Sequence, residues 1–385
     1  MLVWDPAEVV RVADGWVQAG RERTRVVLGH KDLPFVGGCL GYVGYGAGHA
    51  VAPVPRSAPT WEPEVWLGRY DGALLHHGPT GGWVAVGGPA FRADAARRVA
   101  QAPILDAPSR PSGVSLPSWS RAAYEDAVRQ TQERIREGDV YQLNVTRVAH
   151  ADRVGDAFDA MRRLRATSRP ERGAWLVLDD RVRIASNSPE RLIDVVDRLA
   201  STTPIKGTRP RHDDPTRDAA AARELMTSDK ERAELTMIVD LCRNDLGRVA
   251  VPGSVQVGVR TPTAHTNVHH ASQVVSATLR PDVDAWDALA AVFPPGSVTG
   301  APKIRACQRI AELEPEPRGV YCGAIGFVSD HGRASWSVAI RTAVFRGDQA
   351  RWHIGSGIVA DSDPAAEWEE TVAKGTLLAA AILAP

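Results

Sequence analysis

At 385 residues, with 44% hydrophobic and 24% charged side chains, the chain is long enough for one large globular domain or two ordinary ones. Lys+Arg and Asp+Glu both number 46, so no overall positive field would recruit nucleic acid or an anionic membrane. Because the first residues carry acids where a secretory signal needs basic residues, and no run of about 18 apolar residues occurs, we expect a cytoplasmic protein. Four scattered cysteines without CxxC spacing predict buried thiols rather than disulfides or a zinc site.

Frequent glycines divide the first hundred residues into short apolar runs, most densely in residues 34–46. Glycines inside such runs mark bulges or places where two backbones come close. We therefore predict that residues 1–100 form an N-terminal β-rich part. Residues 101–119 contain several prolines and serines and are predicted to be a connector, which leaves residues 120–385 as the domain that holds the candidate site.

A helix followed directly by a strand begins this larger part. Ser120 can cap the helix, whose apolar residues recur at helical spacing. In the strand, residues 140–147, side chains alternate between two faces, and one face carries the uncharged residues Gln142, Asn144 and Thr146. That face either lines a site or is solvated, and periodicity alone does not separate the two.

A constrained lysine follows a predicted hairpin at residues 174–185. In residues 204–210 Lys206 stands between a proline and Gly207, which predicts a shaped loop whose glycine lets the backbone pass close to a ligand. Glu190 precedes this lysine by sixteen residues. The loop could present a reactive amine, or it could be a surface turn with a solvated lysine.

The next helix has a clear beginning and end. Ser228 and Glu231 fit a capping box, and Gly247 fits a C-terminal stop. Glu231 and Glu234 lie about one turn apart and therefore share a face. Such an acid pair is either part of a site or simply solvated.

Two later stretches resemble nucleotide-binding motifs but fail their tests. Residues 294–303 run through a glycine-rich turn into a helix with Pro302 in its first turn, yet the spacing does not fit a phosphate-binding loop. A helix start of this kind still favours an anion, here a carboxylate. Gly355 and Gly357 imitate a dinucleotide fingerprint, but Pro364 interrupts the chain where the required helix should already run.

Strands are predicted at residues 320–328 and 334–345. In the second strand Arg341 shares a face with small residues, which indicates room for a ligand or else an ion-paired structural arginine. The final helix places Glu367, Glu370 and Lys374 on one face. Acids on two separate helices suit Mg²⁺, which takes oxygen ligands and rarely an all-protein cage, so we predict an anionic small molecule held through magnesium.

Seven motifs carry a resemblance to a known family: Gly138–Asn144, Ser188–Arg191, Pro204–Arg211, Glu231–Gly247, Gly300–Lys303, Arg318–Gly323, and Gly355–Val359 with Glu370-Thr371. The chain resembles the chorismate-utilising enzymes, which include aminodeoxychorismate, anthranilate, isochorismate and salicylate synthases. The resemblance runs from about residue 120 to the C terminus and implies an α+β fold, a large antiparallel β-sandwich flanked by helices with the site between its layers.

Two positions distinguish branches of this family. Hydroxylating members carry a lysine where this chain has Gln142, so the resemblance implies ammonia as the nucleophile. Anthranilate synthases carry alanine where this chain has Lys206, and lysine there is the mark of the aminodeoxychorismate branch. The implied reaction is amination of chorismate at C4 on the way to p-aminobenzoate and folate. The alternatives are an enzyme that makes anthranilate or 2-amino-2-deoxyisochorismate, and a non-catalytic binding subunit.

The resemblance also implies roles for individual residues. Magnesium would be held by carboxylates, namely Glu234 and Glu370 with Glu231 and Glu367 beside them. Substrate contacts would come from Thr208, Tyr321, Arg341, Gly355, Gly357 and Lys374. Catalytic roles fall to Lys206, Glu190, Gln142 and His270. Ammonia would come from a separate glutamine amidotransferase subunit, and a separate lyase would release p-aminobenzoate.

Overall fold

The computed structural model describes residues 1–11, 13–25, 32–78, 80–116, 118–168, 172–264 and 268–384. The strands are β1 (Glu8–Val10), β2 (Gly38–Val43), β3 (Val65–Tyr70), β4 (Gly72–His77), β5 (Gly82–Gly87), β6 (Val114–Leu116), β7 (Gln142–Asp152), β8 (Arg172–Val177), β9 (Val182–Ser188), β10 (Arg191–Val196), β11 (Leu199–Thr203), β12 (Ile205–Pro210), β13 (Gln256–Val257), β14 (Thr261–Ala264), β15 (Val268–Ser272), β16 (Val275–Thr278), β17 (Gly300–Ala301), β18 (Ala324–Ser329), β19 (Ala334–Val338), β20 (Thr342–Arg346) and β21 (Gln349–Ile358). The α-helices are α1 (Trp16–Glu22), α2 (Pro89–Ala100), α3 (Arg121–Arg136), α4 (Ala157–Thr167), α5 (Pro215–Thr227), α6 (Asp229–Gly247), α7 (Ala285–Val292), α8 (Lys303–Leu313) and α9 (Pro364–Ile382), and two short 3-10 helices cover Tyr45–Ala50 and Gly296–Val298.

Two large antiparallel sheets form the frame of the molecule. The nine-stranded sheet has the order β1-β3-β2-β18-β19-β10-β11-β16-β13, and the seven-stranded sheet has the order β17-β7-β21-β20-β9-β8 with β6 on β7. Two smaller sheets have the orders β12-β15-β14 and β4-β5. In the larger sheet, strands from the first hundred residues lie beside strands from the C-terminal part: β2 pairs with β18. The division of the chain at residues 101–119 stays a prediction.

The two large sheets pack face to face. Tyr42, Trp66 and Ile325 of the larger sheet share one apolar core with Ile184 and Val344 of the other. Because strand side chains alternate, the opposite faces are also apolar and are covered by helices, α1, α6 and α7 on the larger sheet and α4 and α9 on the other. The predicted sandwich flanked by helices is confirmed. No helix in the described part of the chain is both long and apolar enough for a membrane span.

Predictions for the starts of three helices are confirmed in part. Ser120 Oγ accepts a hydrogen bond of 3.2 Å from the Ala123 amide at the start of α3. Ser228 Oγ likewise accepts from the Glu231 amide, although the Glu231 carboxylate contacts Arg209 instead of completing a capping box. Pro302 is the N-cap of α8 rather than a residue of its first turn.

Three predicted elements are wrong in their details. The strand predicted for residues 334–345 is broken, with β19 in the larger sheet and β20 in the seven-stranded sheet. The break lies at Arg341, whose φ of 50° turns the chain from one layer to the other. The strand predicted at residues 320–328 begins only at Ala324, and the loop predicted for residues 204–210 contains β12.

A buried ion pair ties several of these elements together. The Arg318 guanidinium donates to the Glu314 carboxylate at 2.6 and 2.8 Å, and the two side chains are 1% and 5% exposed. Arg318 also donates to the Asn144 and Val298 carbonyls at 2.7 and 2.8 Å. Glu314 in turn accepts from the Thr146 amide at 3.1 Å. The pair therefore joins β7, the turn before β17 and the segment after α8.

Removing one member of this pair should destabilise the fold. We expect Glu314→Ala to lower the free energy of unfolding by about 3–5 kcal/mol, because Arg318 would be left as a buried, unpaired cation. Denaturant titration measures this loss. The matched control is Glu133→Ala, since the Glu133–Arg136 pair is exposed and should contribute less than about 1 kcal/mol. Equal small losses in the two variants would contradict the prediction.

Candidate active site

Lys206 lies on β12 at a bulge in the pairing with β15. The bulge is made by Gly207, whose φ is +74°. A Cβ atom on Gly207 would lie 2.6 Å from both Glu231 Oε2 and Leu225 Cδ1. The close backbone approach predicted at this glycine therefore exists, but it faces helices α5 and α6 of the protein itself rather than a ligand.

The ends of the Lys206 and Gln142 side chains both lie close to Gly357. A Cβ on Gly357 would lie 3.4 Å from Lys206 Nζ and 2.6 Å from Gln142 Nε2. Gln142 is fully buried, and neither of its amide atoms has a hydrogen-bond partner among the described residues. Asn144 and Thr146 are buried as well, so the polar face of β7 is not solvated. Two nitrogen groups thus point into one space above a glycine.

Burial sets the electrostatics of Lys206. Lys206 is partly exposed as a residue, but other side chains surround its amine, and this burial lowers the pKa of Lys206 below the ordinary lysine value. Carboxylates of Glu234, Glu190 and Glu370 oppose that shift, while the positive charge of Lys374 adds to it. The structure therefore places five of the predicted site residues close enough to interact electrostatically.

Glu190 lies between β9 and β10, and its amide donates to Ser188 Oγ at 3.2 Å. Its side chain is buried, and burial raises the pKa of Glu190 above the ordinary value. A hydrogen bond from Ser297 and the charges of Lys206 and Lys374 act in the opposite direction. Glu190 and Ser297 also line one small cavity. Ser297 was missed as a site residue, although the turn that contains it was predicted to hold an anion.

The two acid pairs on α6 and α9 each carry a basic partner. Glu231 Oε1 accepts from Arg209 Nη1 at 3.2 Å, and Glu370 Oε1 lies 2.5 Å from Lys374 Nζ. Lys374 Nζ also donates to the Gly355 carbonyl at 3.2 Å, which ties α9 to β21.

Glu367, on α9, is buried. Its Oε1 atom accepts from Ser362 Oγ at 2.7 Å, while its Oε2 atom has no partner among the described residues.

The remaining predicted residues are placed by their own contacts. His270 Nδ1 lies 3.1 Å from Thr208 Oγ1 and 3.2 Å from the Gly207 carbonyl, at the Lys206 bulge. Tyr321 is 5% exposed, and its ring stacks on that of His353. Burial lowers the pKa of Arg341, and in the described part of the chain no carboxylate pairs with its guanidinium. The ion-paired alternative for this arginine is therefore not supported by those residues.

The carboxylates of α6 and α9 are oxygen donors of the kind that a magnesium ion takes. Within the described ranges, no three His, Cys, Asp or Glu side chains are gathered into a complete metal cage. Mg²⁺ does not need one, because it usually keeps waters and takes one or two protein carboxylates together with substrate oxygens. Carboxylates from two helices and the unpartnered Glu367 oxygen fit that requirement.

Comparisons with known proteins give one consistent result. A profile of the chorismate binding enzyme family matches residues 9–380. Aminodeoxychorismate synthase component 1 of Salmonella typhimurium is 40% identical over 350 residues, covering 89% of this chain and 76% of that protein. Anthranilate synthase component 1 of Streptomyces coelicolor is 38% identical over 375 residues, covering 91% and 73%.

Solved structures agree with this comparison. Anthranilate synthase component I of Streptococcus pneumoniae superposes with a TM-score of 0.87 at 29% identity, covering 98% of this chain and 91% of that one. The menaquinone-specific isochorismate synthase of Escherichia coli has a TM-score of 0.76 at 18% identity, covering 98% and 85%. The second likeness concerns the fold alone.

Burial of the Lys206 amine should make the free energy of unfolding depend on pH. Because its pKa is lowered in the folded protein, the folded state binds fewer protons there than the unfolded chain, and stability rises with pH up to the ordinary lysine pKa of about 10.4. We expect Lys206→Met to be more stable than the wild type at pH 7 by about 1–2 kcal/mol, with a gain that shrinks towards pH 10. Denaturant titrations at several pH values test this, with half-exposed Lys374→Met as the control. A pH-independent difference would refute it.

Proposed function

Because the chain belongs to the chorismate binding enzyme family, we propose that it aminates chorismate at C4 to give 4-amino-4-deoxychorismate, as component I of an aminodeoxychorismate synthase. Ammonia would be supplied by a separate glutamine amidotransferase subunit. The relatives named aminodeoxychorismate synthase component 1 support this choice, and the anthranilate synthases of similar identity make it a matter for experiment.

One observation carries the proposal. Lys206 Nζ and Gln142 Nε2 lie over the same glycine, Gly357, in a space lined by buried polar groups. In the family's anthranilate synthases the position of Lys206 is an alanine, which cannot form a covalent bond to the substrate. In its hydroxylating members the position of Gln142 is a lysine that can act as a base on water. An amine nucleophile beside an uncharged amide favours amination at C4.

The first chemical step would use Lys206 and Glu190. The neutral Lys206 amine attacks C2, the two ring double bonds shift to C1–C6 and C4–C5, and the C4–O bond breaks. Glu190 gives its proton to the departing hydroxyl, which leaves as water, and the lysine nitrogen bonded to C2 stays protonated. The lowered pKa of Lys206 and the raised pKa of Glu190 each favour the form that this step needs.

The second step would reverse the double-bond shift. Ammonia adds at C4, the C2–N bond to the protonated lysine nitrogen breaks, and Lys206 leaves as its neutral amine. The new C4 ammonium returns one proton to Glu190, so the enzyme regains its starting state. The Gln142 amide, which is buried without a partner among the described residues, would orient the incoming ammonia without protonating it.

Binding of the two substrate carboxylates would be divided between two groups. Arg341 and Tyr321 would hold the enolpyruvyl carboxylate, since a buried guanidinium without a described carboxylate partner suits an anion. The ring carboxylate would be bound by the remaining predicted contacts, Gly355, Gly357, Lys374 and Thr208, with His270 beside the ring.

Magnesium would be held by Glu234 and Glu370, with Glu231 and Glu367 beside them. When bound, the ion neutralises the ring carboxylate and fixes its position. Arg209 and Lys374 would keep these acids oriented and partly neutralised before the ion binds.

Product analysis tests the proposed reaction. We expect the purified chain, with chorismate, Mg²⁺ and a high ammonium concentration at mildly alkaline pH, to form a product that becomes p-aminobenzoate only after an aminodeoxychorismate lyase is added. Anthranilate or 2-amino-2-deoxyisochorismate would place the chain in another aminating branch. Isochorismate would refute the assignment of ammonia as nucleophile, and no turnover would indicate a binding subunit.

Intact-protein mass spectrometry tests the covalent step. Without ammonia, chorismate and Mg²⁺ should add to the protein the mass of chorismate less one water, and Lys206→Ala should abolish the adduct. Lys303→Arg is the matched control, because Lys303 is buried in an ion pair with Asp245. An adduct that persists in Lys206→Ala would exclude Lys206 as the nucleophile.

Calorimetry with MgCl₂ alone tests the metal site. Lys374 lies 2.5 Å from Glu370, so it competes with the ion for that carboxylate. We expect Lys374→Gln to bind Mg²⁺ roughly threefold to tenfold more tightly, as expected for the loss of one neighbouring positive charge. Glu370→Gln should bind weakly. Unchanged affinity in both variants would exclude Glu370 as a ligand.

A further inference from the structure

His353 stands outside the roles described so far, although it lies on the strand that carries Gly355 and Gly357. It belongs to β21, two residues before Gly355 and four before Gly357, and strand alternation places all three on the same face of the sheet. Its side chain is buried, 5% exposed, and it has no place in the chemistry of Lys206 and Glu190. Burial, with the nearby charges of Arg351 and Arg318, holds the pKa of His353 well below its usual value, so the ring is neutral.

The His353 ring makes two contacts with the segment after α8. It stacks on the Tyr321 ring with centroids 5.3 Å apart and an interplanar angle of 15°. It also hydrogen-bonds to the backbone of Pro317, while its Nε2 atom is buried without a partner among the described residues. The imidazole is therefore held in one orientation, and it presents a flat face to Tyr321.

The backbone that carries Tyr321 is fixed independently. Glu62 Oε1 accepts from the Val320 amide at 3.0 Å and from Arg351 Nη2 at 2.7 Å. Gly319 passes these groups so closely that a Cβ would lie 2.2 Å from Glu62 Oε1. Because the backbone is pinned on this side, the direction of the Tyr321 side chain depends on what its ring packs against.

We infer that His353 is a positioning residue, whose stacked ring holds Tyr321 in the orientation that binds one carboxylate of the substrate. This inference rests on the proposed function, because it takes Tyr321 as a substrate contact. Because stacking on Tyr321 requires only a flat ring, a phenylalanine at position 353 should hold Tyr321 in the same orientation. A branched aliphatic side chain should not.

Chorismate affinity, measured by calorimetry, separates these variants without relying on turnover. We expect His353→Leu to weaken chorismate binding about threefold to tenfold, the range of an aromatic pair contact, and to raise KM while kcat changes little. His353→Phe should restore binding to within about twofold of the wild type. In a Tyr321→Ala background, His353→Leu should produce no further loss.

A purely structural histidine would behave differently. Its replacement by leucine would lower the melting temperature while chorismate affinity stayed unchanged, or the losses of His353→Leu and Tyr321→Ala would add, and either result would overturn the inference. Failure of the proposed function shows separately, as a wild-type protein that binds chorismate but forms another product.

Discussion

The buried pair of Arg318 and Glu314 holds the site to the fold. One guanidinium satisfies two backbone carbonyls, one beside Ser297 and one on the strand that carries Gln142, while its carboxylate partner takes an amide of that same strand. Two opposite charges taken out of water stabilise a protein only when every donor and acceptor finds a partner. The free-energy cost of burying these two charges is therefore offset by their hydrogen bonds to backbone groups of segments that are far apart in the chain.

The space above Gly357, which Lys206 and Gln142 share, is lined by buried polar groups. Burial lowers the pKa of Lys206 and raises the pKa of Glu190, so it favours the neutral form of both side chains. The nearby acids and Lys374 oppose one another in their effects on Lys206. A site of this kind can keep reactive groups ready while the protein remains folded around them.

Local chemistry made part of this structure predictable from sequence. Caps such as Ser120 and the alternation of Gln142, Asn144 and Thr146 depend on neighbours a few residues away, and the resemblance of seven motifs indicated the sandwich. The strand break at Arg341 was missed, because only the stacking of two sheets requires it. Contacts of Ser297 with Glu190 and of His353 with Tyr321 depend on long-range register, which no local pattern encodes.

The position of β2 has a consequence for how the molecule is made. This early strand lies between β3 and β18, and its second neighbour is synthesised only after most of the chain has left the ribosome. Until then one edge of β2, with its row of open amide and carbonyl groups, has no native partner and can pair with another chain. Because such distant pairing is slow to form, we infer that completion of the larger sheet follows synthesis of the C-terminal part, and that nascent chains are most exposed to aggregation before it.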